Sequence, residues 1–309
     1  MNWNPSQLPP QHGRTFVVTG ATAGIGYFAA EQLAASGAEV VLASRSLQKL
    51  RTAENAIRSQ VPNASLRSVE IELGSLASVD AAAAHLGALP RLDGILLNGG
   101  AMNLSRRAQT SDGLPLLLGT HVVANVRLLA GLLPALVARA GEHGSVGRVV
   151  HASTGFVGMF RFDLDDLRRV PRTGVGAYTK AKTATEVFAF ELDRRLRASD
   201  LPVMSVVTRP GVGVDAKTPE RPGIRDATTP YRRNPYTPWA QGKDTAAWSA
   251  VRALTDPAVT GGQYYAPEAR IKGLPAPVAP TPRTATPPPE VADAVWRQLE
   301  ALAEVRVEV

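Results

Sequence analysis

The sequence predicts an α/β protein built on one doubly wound parallel sheet. Three observations carry that expectation. Short β-branched runs alternate with longer helical stretches, one crossover per strand, along most of the chain. The first run, TFVVTG at 15–20, leads into GATAGIG and an Ala-rich helix, the strand–glycine turn–helix context of a dinucleotide site. Glycines and hydroxyl residues also recur just after the strands, where ligands of open α/β sheets sit. Together these describe a single-domain fold of Rossmann type, to which the sequence adds a lid insertion and a C-terminal helix.

Composition narrows the class. The 309 residues are 44% hydrophobic and 20% charged, enough apolar material for one large core. Cysteine is absent, which removes disulfides, thiolate metal sites and a cysteine nucleophile. His12, His85, His121, His143 and His151 show no ligand spacing, so no metal is expected. The formal charge is +7, yet the arginines are dispersed among acidic residues, with no basic block interleaved with aromatics. Nucleic acid is therefore not an expected partner, whereas an anionic cofactor suits a basic site. The polar, proline-rich start lacks the apolar core of a signal peptide. No apolar run approaches a membrane span, and the most hydrophobic stretch, 122–138, carries Arg127 and Pro134. The expectation is a cytoplasmic protein without a membrane anchor.

Taken in order, residues 1–13 read as a flexible tail and 14–274 as the main domain. After the strand at 15–20, Gly20, Gly24 and Gly26 let the turn close and its backbone approach a pyrophosphate at the N-terminus of the helix at 27–35. Residues 39–44 form a second buried strand. At its end an acidic residue would bind a ribose 2′-hydroxyl, but the chain reads Ser44-Arg45-Ser46. Arg45 suits a 2′-phosphate instead, which argues for NADP(H) over NAD. A helix is expected at 47–60, a strand at 65–73, a helix to about 86 and a strand at 93–98 followed by Gly99-Gly100. A long helix at 112–140, a strand at 146–152 ending in Ser153-Thr154, a helix at 174–198 and a strand at 203–207 follow. That last strand closes on Arg209-Pro210-Gly211.

Tyr178 and Lys182 lie one helical turn apart. A phenol alone is too weak an acid for work at neutrality, and a nearby ammonium draws it toward the working range. By itself this spacing is common on solvated helix faces; its weight comes from the glycine turn upstream. Residues 213–240 break the pattern with five prolines and read as a lid. Its arginines are expected to be solvated rather than to meet an acidic substrate. A helix at 243–254, a strand at 263–266, a stiff extended connector at 275–289 and an amphipathic helix at 290–304 complete the chain.

Thr19-Gly20-Ala-Thr-Ala-Gly24-Ile-Gly26 resembles the TGxxxGxG turn of short-chain dehydrogenases/reductases, and Tyr178/Lys182 resembles their YxxxK. The likeness runs from about Thr15 to Ala266. The FDLDDL segment at 162–167, the FAFELDRRL run at 188–196 and Trp296 resemble the retinol-dehydrogenase-like branch. The resemblance implies that Tyr178 passes a proton to or from a substrate oxygen as hydride moves, and that Lys182 lowers the tyrosine pKa and bonds the nicotinamide ribose. It places the carbonyl-polarising hydroxyl on Thr154, where the family has serine. It places cofactor contacts on Gly20, Ala23, Gly24, Ile25, Gly26, Arg45, Glu72, Leu73, Asn98, Gly99, Tyr178, Lys182, Pro210 and Gly211. Glu72 stands where the family has an adenine-contacting Asp, and Asn98-Gly99-Gly100-Ala101 where it has NNAG. His121 replaces a family asparagine; it is either a proton relay or a packed histidine.

The reading that follows is an NADP(H)-dependent enzyme interconverting a carbonyl and an alcohol. Its expected substrate is mid-sized and apolar, beneath a lid bearing Tyr231, Tyr236 and Trp239. A nucleotide-binding sensor or scaffold with little turnover is the alternative, and an epimerase or dehydratase using the cofactor transiently is a weaker one. A homodimer or homotetramer through the two long helices follows the family habit.

Overall fold

The computed structural model describes residues 3–228 and 235–309. Their strands form one sheet in the order β3-β2-β1-β4-β5-β6-β7-β8, parallel except for the final pair. In chain order the first half runs β1 (Thr15–Thr19), α1 (Gly24–Ala35), β2 (Glu39–Ser44), α2 (Leu47–Gln60), β3 (Ser65–Glu70), α3 (Leu76–Gly87) and β4 (Gly94–Leu97). Then come α4 (Leu116–Leu118), a π-turn (Gly119–Val123), α5 (Ala124–Glu142), β5 (Gly147–Ala152), α6 (Phe156–Met159), α7 (Gly174–Ala198) and β6 (Val203–Thr208). The chain finishes with α8 (Lys243–Ala246), α9 (Trp248–Thr255), β7 (Tyr264–Pro267), β8 (Pro275–Pro277), α10 (Pro282–Ala285) and α11 (Pro289–Ala303).

The central strands are buried on both faces, as their unbroken apolar runs require. Side chains alternate: Val17, Val41, Ile95 and Val149 enter a core with α3, α5, α7 and α11. Phe16, Val18, Leu42, Leu96 and Val150 enter a second core with α1, α2 and α9. The period of two along each strand thus creates two helix layers from one sheet. The run Leu116–Glu142 is long and apolar enough to cross a membrane by composition, with mean hydropathy 1.7, contrary to the expectation that no stretch comes near. Its most apolar window is 78% buried inside the protein.

Three expectations about the termini and the lid are corrected. The N-terminal segment is not a loose tail: Trp3 is buried in the second core and Arg252 lies over its ring at 5.8 Å. The proline-rich stretch at 275–289 is more than a stiff extended connector: β8 pairs antiparallel with β7 at the sheet edge, where a missing N–H is tolerated, and α10 makes it partly helical. The two lid arginines among the described residues are paired rather than solvated. Arg221 forms a two-pronged bond to Glu31 of α1 at 2.6 and 2.8 Å, and Arg225 meets Glu220 at 2.8 Å. Tyr231, Arg232 and Arg233 lie outside the described residues. Helix α11 packs on its own chain: Trp296 stacks on Phe188 at 4.8 Å, with Arg195 over its ring.

Candidate active site

The carboxyl ends of β1, β4, β5 and β6 bring the predicted residues to one edge of the sheet. Gly20 and Gly24 have positive φ of 69° and 57°, and a side chain at Gly26 would stand 2.4 Å from the Gly20 carbonyl. The turn is therefore backbone packed on backbone, leaving the first N–H groups of α1 without a side-chain cap. Asn98 closes it from β4, donating from Nδ2 to the Thr19 carbonyl at 3.2 Å. The Thr19 hydroxyl accepts from both the Asn98 and Gly99 amides at 3.0 and 2.9 Å. This cradle fits a pyrophosphate at the start of a helix. Ala23 is exposed beside it, Ile25 half-buried, and Leu73 reaches toward Gly99.

Lys243 was not legible as part of this site. Its aliphatic chain lies over Gly24, and its ammonium pairs with Asp215 at 2.5 Å, so a cation stands beside the glycine turn. Only its spacing after the lid could have hinted at it. Arg45, largely exposed, and Glu72, partly buried, face each other at 3.5 Å. The two side chains expected at the adenosine end are thus together. Gly211, with φ of 70°, is packed against the Ile271 carbonyl, and Pro210 accepts from Gln241 at 2.8 Å.

Helix α7 starts on Thr173, whose hydroxyl accepts from the Gly176 amide, and carries the reactive pair. Burial raises the Tyr178 phenol above its usual range, partly offset by a hydrogen bond from Thr154. The expected lowering of Tyr178 by Lys182 is therefore corrected: burial dominates, and the Lys182 ammonium donates to the Ala152 carbonyl at 2.6 Å. Burial lowers Lys182 itself to about 8, opposed by the charge of Glu186.

The π-turn presents His121, whose ring meets Tyr178 edge-on at 5.2 Å. Its Nε2 lies 2.8 Å from the Ala101 carbonyl, which requires the proton on that nitrogen. Nδ1 is buried and has no hydrogen-bond partner among the described residues. Burial, aided by the Lys182 charge, lowers His121 to about 3, so the ring is neutral at neutral pH. Asn125, one turn on, bonds the His121 carbonyl at 2.9 Å, a group that the wider turn leaves available. Among the described residues no cluster of three His, Asp or Glu is placed to hold a metal ion.

Ser153 and Thr154 take different partners: Thr154 bonds Tyr178, whereas Ser153 does not. It is buried and donates to Glu186.

Known proteins resemble this chain in sequence and in fold. Residues 14–221 match the family model described as short chain dehydrogenase. A mouse polyprenol dehydrogenase is 34% identical over 281 residues, covering 88% of this chain and 81% of its own. A protein of Streptomyces sp. (strain C5), named for daunorubicin C-13 ketoreductase activity, is 33% identical and covers 82% of this chain and 83% of its own. The crystal structure of an uncharacterized Mycobacterium paratuberculosis protein superposes over 100% of both chains with a TM-score of 0.79 at 26% identity. The chain belongs to the short-chain dehydrogenase/reductase family, whose members are oxidoreductases of alcohol and carbonyl groups that use a nicotinamide cofactor.

Proposed function

We propose that this protein is an NADP(H)-dependent reductase of a ketone or aldehyde on an apolar, mid-sized to long molecule. The observation that carries the reading is the convergence of Thr154, Tyr178 and Lys182 at the end of β5, beside a glycine cradle with Arg45 at its far end. The bound cofactor would supply the hydride; the chain supplies the rest. Thr154 donates a hydrogen bond toward the substrate oxygen, and Tyr178 delivers the proton that neutralises it. Lys182, held by the Ala152 carbonyl, stabilises the phenolate left behind, and its modest pKa keeps it exchangeable. His121, buried, neutral and holding its one ring proton on the Ala101 carbonyl, reads as a packed histidine rather than a proton relay.

Apolar substrates are supported by the mouth of the site. Met102, Leu104, Phe156, Met159, Phe160 and Val175 are exposed there, in the loops after β4 and β5 and at the start of α7. Tyr236 and Trp239 of the lid are exposed too, rather than closing a roof. The relatives' names, a polyprenol dehydrogenase and a daunorubicin ketoreductase, point the same way. The test is NADPH oxidation across a panel of apolar ketones and aldehydes. Tyr178→Phe should lose about 100-fold or more in turnover while still binding cofactor. Equal turnover in the variant would refute the assignment of Tyr178. Cofactor binding with no turnover on any carbonyl would favour a nucleotide-binding sensor.

A further inference from the structure

Glu186 sits eight residues after Tyr178 and four after Lys182, on the same face of α7, and only 1% of it is exposed. A buried carboxylate is costly unless it is matched, and this one has three hydroxyl partners. Ser153 donates to Oε1 at 2.5 Å, Thr284 of α10 to Oε2 at 2.8 Å, and Tyr264 of β7 to Oε1 at 3.3 Å. Three consecutive residues at the end of β5 are thereby each gripped by a side chain of α7. Lys182 holds the Ala152 carbonyl, Glu186 holds the Ser153 hydroxyl, and Tyr178 meets the Thr154 hydroxyl.

We propose that Glu186 is a positioning residue of the active site, which fixes the Ser153–Thr154 end of β5 against α7 and supplies the counter-charge that keeps the buried Lys182 ammonium protonated. The inference rests on the function proposed above but names a residue that the YxxxK pattern does not include. Around Lys182 the other titratable groups are His121 of the π-turn, His151 of β5 and Tyr178. Both histidines are buried and neutral at neutral pH, so neither offers compensating charge. Around Glu186 stand Tyr264 and the Arg209 guanidinium after β6. Burial raises Glu186 itself, and its three hydroxyl donors and Arg209 oppose that rise; one turn from Lys182, its charge opposes the lowering of that ammonium by burial. The same carboxylate ties α10 to the site through Thr284, which is fully buried. A segment distant in sequence thus helps to set the tilt of the strand end.

The test begins with a direct titration of Lys182 in the full chain. The protein has six lysines, so ε-13C-lysine labelling gives few NMR signals, and Lys182→Arg identifies the one that matters. In Glu186→Gln, which keeps shape and most hydrogen bonds, Lys182 should titrate about one pH unit lower than in the wild type. Glu186→Asp, which keeps the charge, should stay near the wild type. On an active substrate, the alkaline limb of kcat should move down by the same amount in Glu186→Gln. An unchanged Lys182 titration in folded Glu186→Gln overturns the proposal, whether or not a substrate has been found. Failure of the reductase reading is seen separately, as a wild type with no turnover. Should Glu186→Gln not fold, the same titration is read in Glu186→Gln/Ser153→Ala, which removes the hydroxyl facing the new amide.

Discussion

Replacing Arg45 by alanine tests the adenosine end of the site. Arg45 touches the protein through one 3.5 Å contact to Glu72, with 74% of its side chain exposed. Exposed pairs of this kind contribute about 0–1 kcal/mol, so Arg45→Ala should fold with nearly wild-type stability. Glu72 keeps its own bond from the Gly74 amide at 2.9 Å, so the local turn should survive. What is lost is a guanidinium free to grip a 2′-phosphate, and a charge-assisted bond contributes about 1.5–3 kcal/mol. That is a weakening of NADPH binding by about 10- to 100-fold. NADH, which lacks the phosphate, should bind the variant and the wild type alike. The assay is a thermal-shift titration with each nucleotide. A tenfold weaker Kd removes about 1.4 kcal/mol of ligand stabilisation, which for a chain of this size is a Tm difference of about 2 °C. Equal shifts of the wild type by NADPH and NADH, or equal losses of both in the variant, would refute the assignment of Arg45 and the cofactor preference built on it.

Three further outcomes are expected. Gly26→Ala places a methyl 2.4 Å from the Gly20 carbonyl and 2.6 Å from Asn98 Nδ2; it should cost about 1–3 kcal/mol and abolish cofactor-induced shifts, and retained NADPH binding would show that the cradle is not the pyrophosphate site. Arg221→Ala leaves Glu31 in a largely buried site, with Tyr27 as its remaining donor; it should destabilise by about 3–5 kcal/mol in urea unfolding, and a loss below 1 kcal/mol would mean that the lid is not anchored there. His121 and His151 are each lowered to about 3 by burial. Below their unfolded pKa of about 6.5 the unfolded chain binds the extra protons, so stability falls as pH drops, by about 2 kcal/mol per histidine at pH 5; equal urea stability at pH 7 and 5 would contradict their buried neutral state.

The sheet was legible because its strands are buried on both faces, so β-branched runs such as TFVVT and EVVLAS had no amphipathic alternative. The glycine turn was legible because only glycine permits that approach of backbone to backbone. Less could be seen where geometry rather than residue type decides. The long helix expected at 112–140 contains a π-turn at Gly119–Val123, since a register change in a helix leaves no compositional mark. The proline-rich stretch after 275 looked like a connector because proline count says nothing of what the neighbouring carbonyls find; Val278 donates to the Tyr264 carbonyl at 2.8 Å. The lid arginines looked solvated because Glu31, the partner of Arg221, lies 190 residues earlier. The same distance hid Lys243 from the glycine turn.

Tyr178 shows why the pair could be found and its electrostatics still misread. Spacing on a helix says that two groups share a face; it does not say where the ammonium points. Lys182 points to the strand end, so its influence on Tyr178 in the free protein is smaller than the burial that opposes it. A phenol raised by burial holds its proton more tightly and is a weaker acid, so Tyr178 needs the positive charge of Lys182 and of the bound cofactor to deliver that proton at neutral pH. The pH dependence of kcat for reduction should therefore be flat on the acid side of about pH 8, where Lys182 remains charged, and should fall above it. A kcat for reduction that stayed unchanged from about pH 7 to about pH 10 would show that the charge of Lys182 does not serve Tyr178.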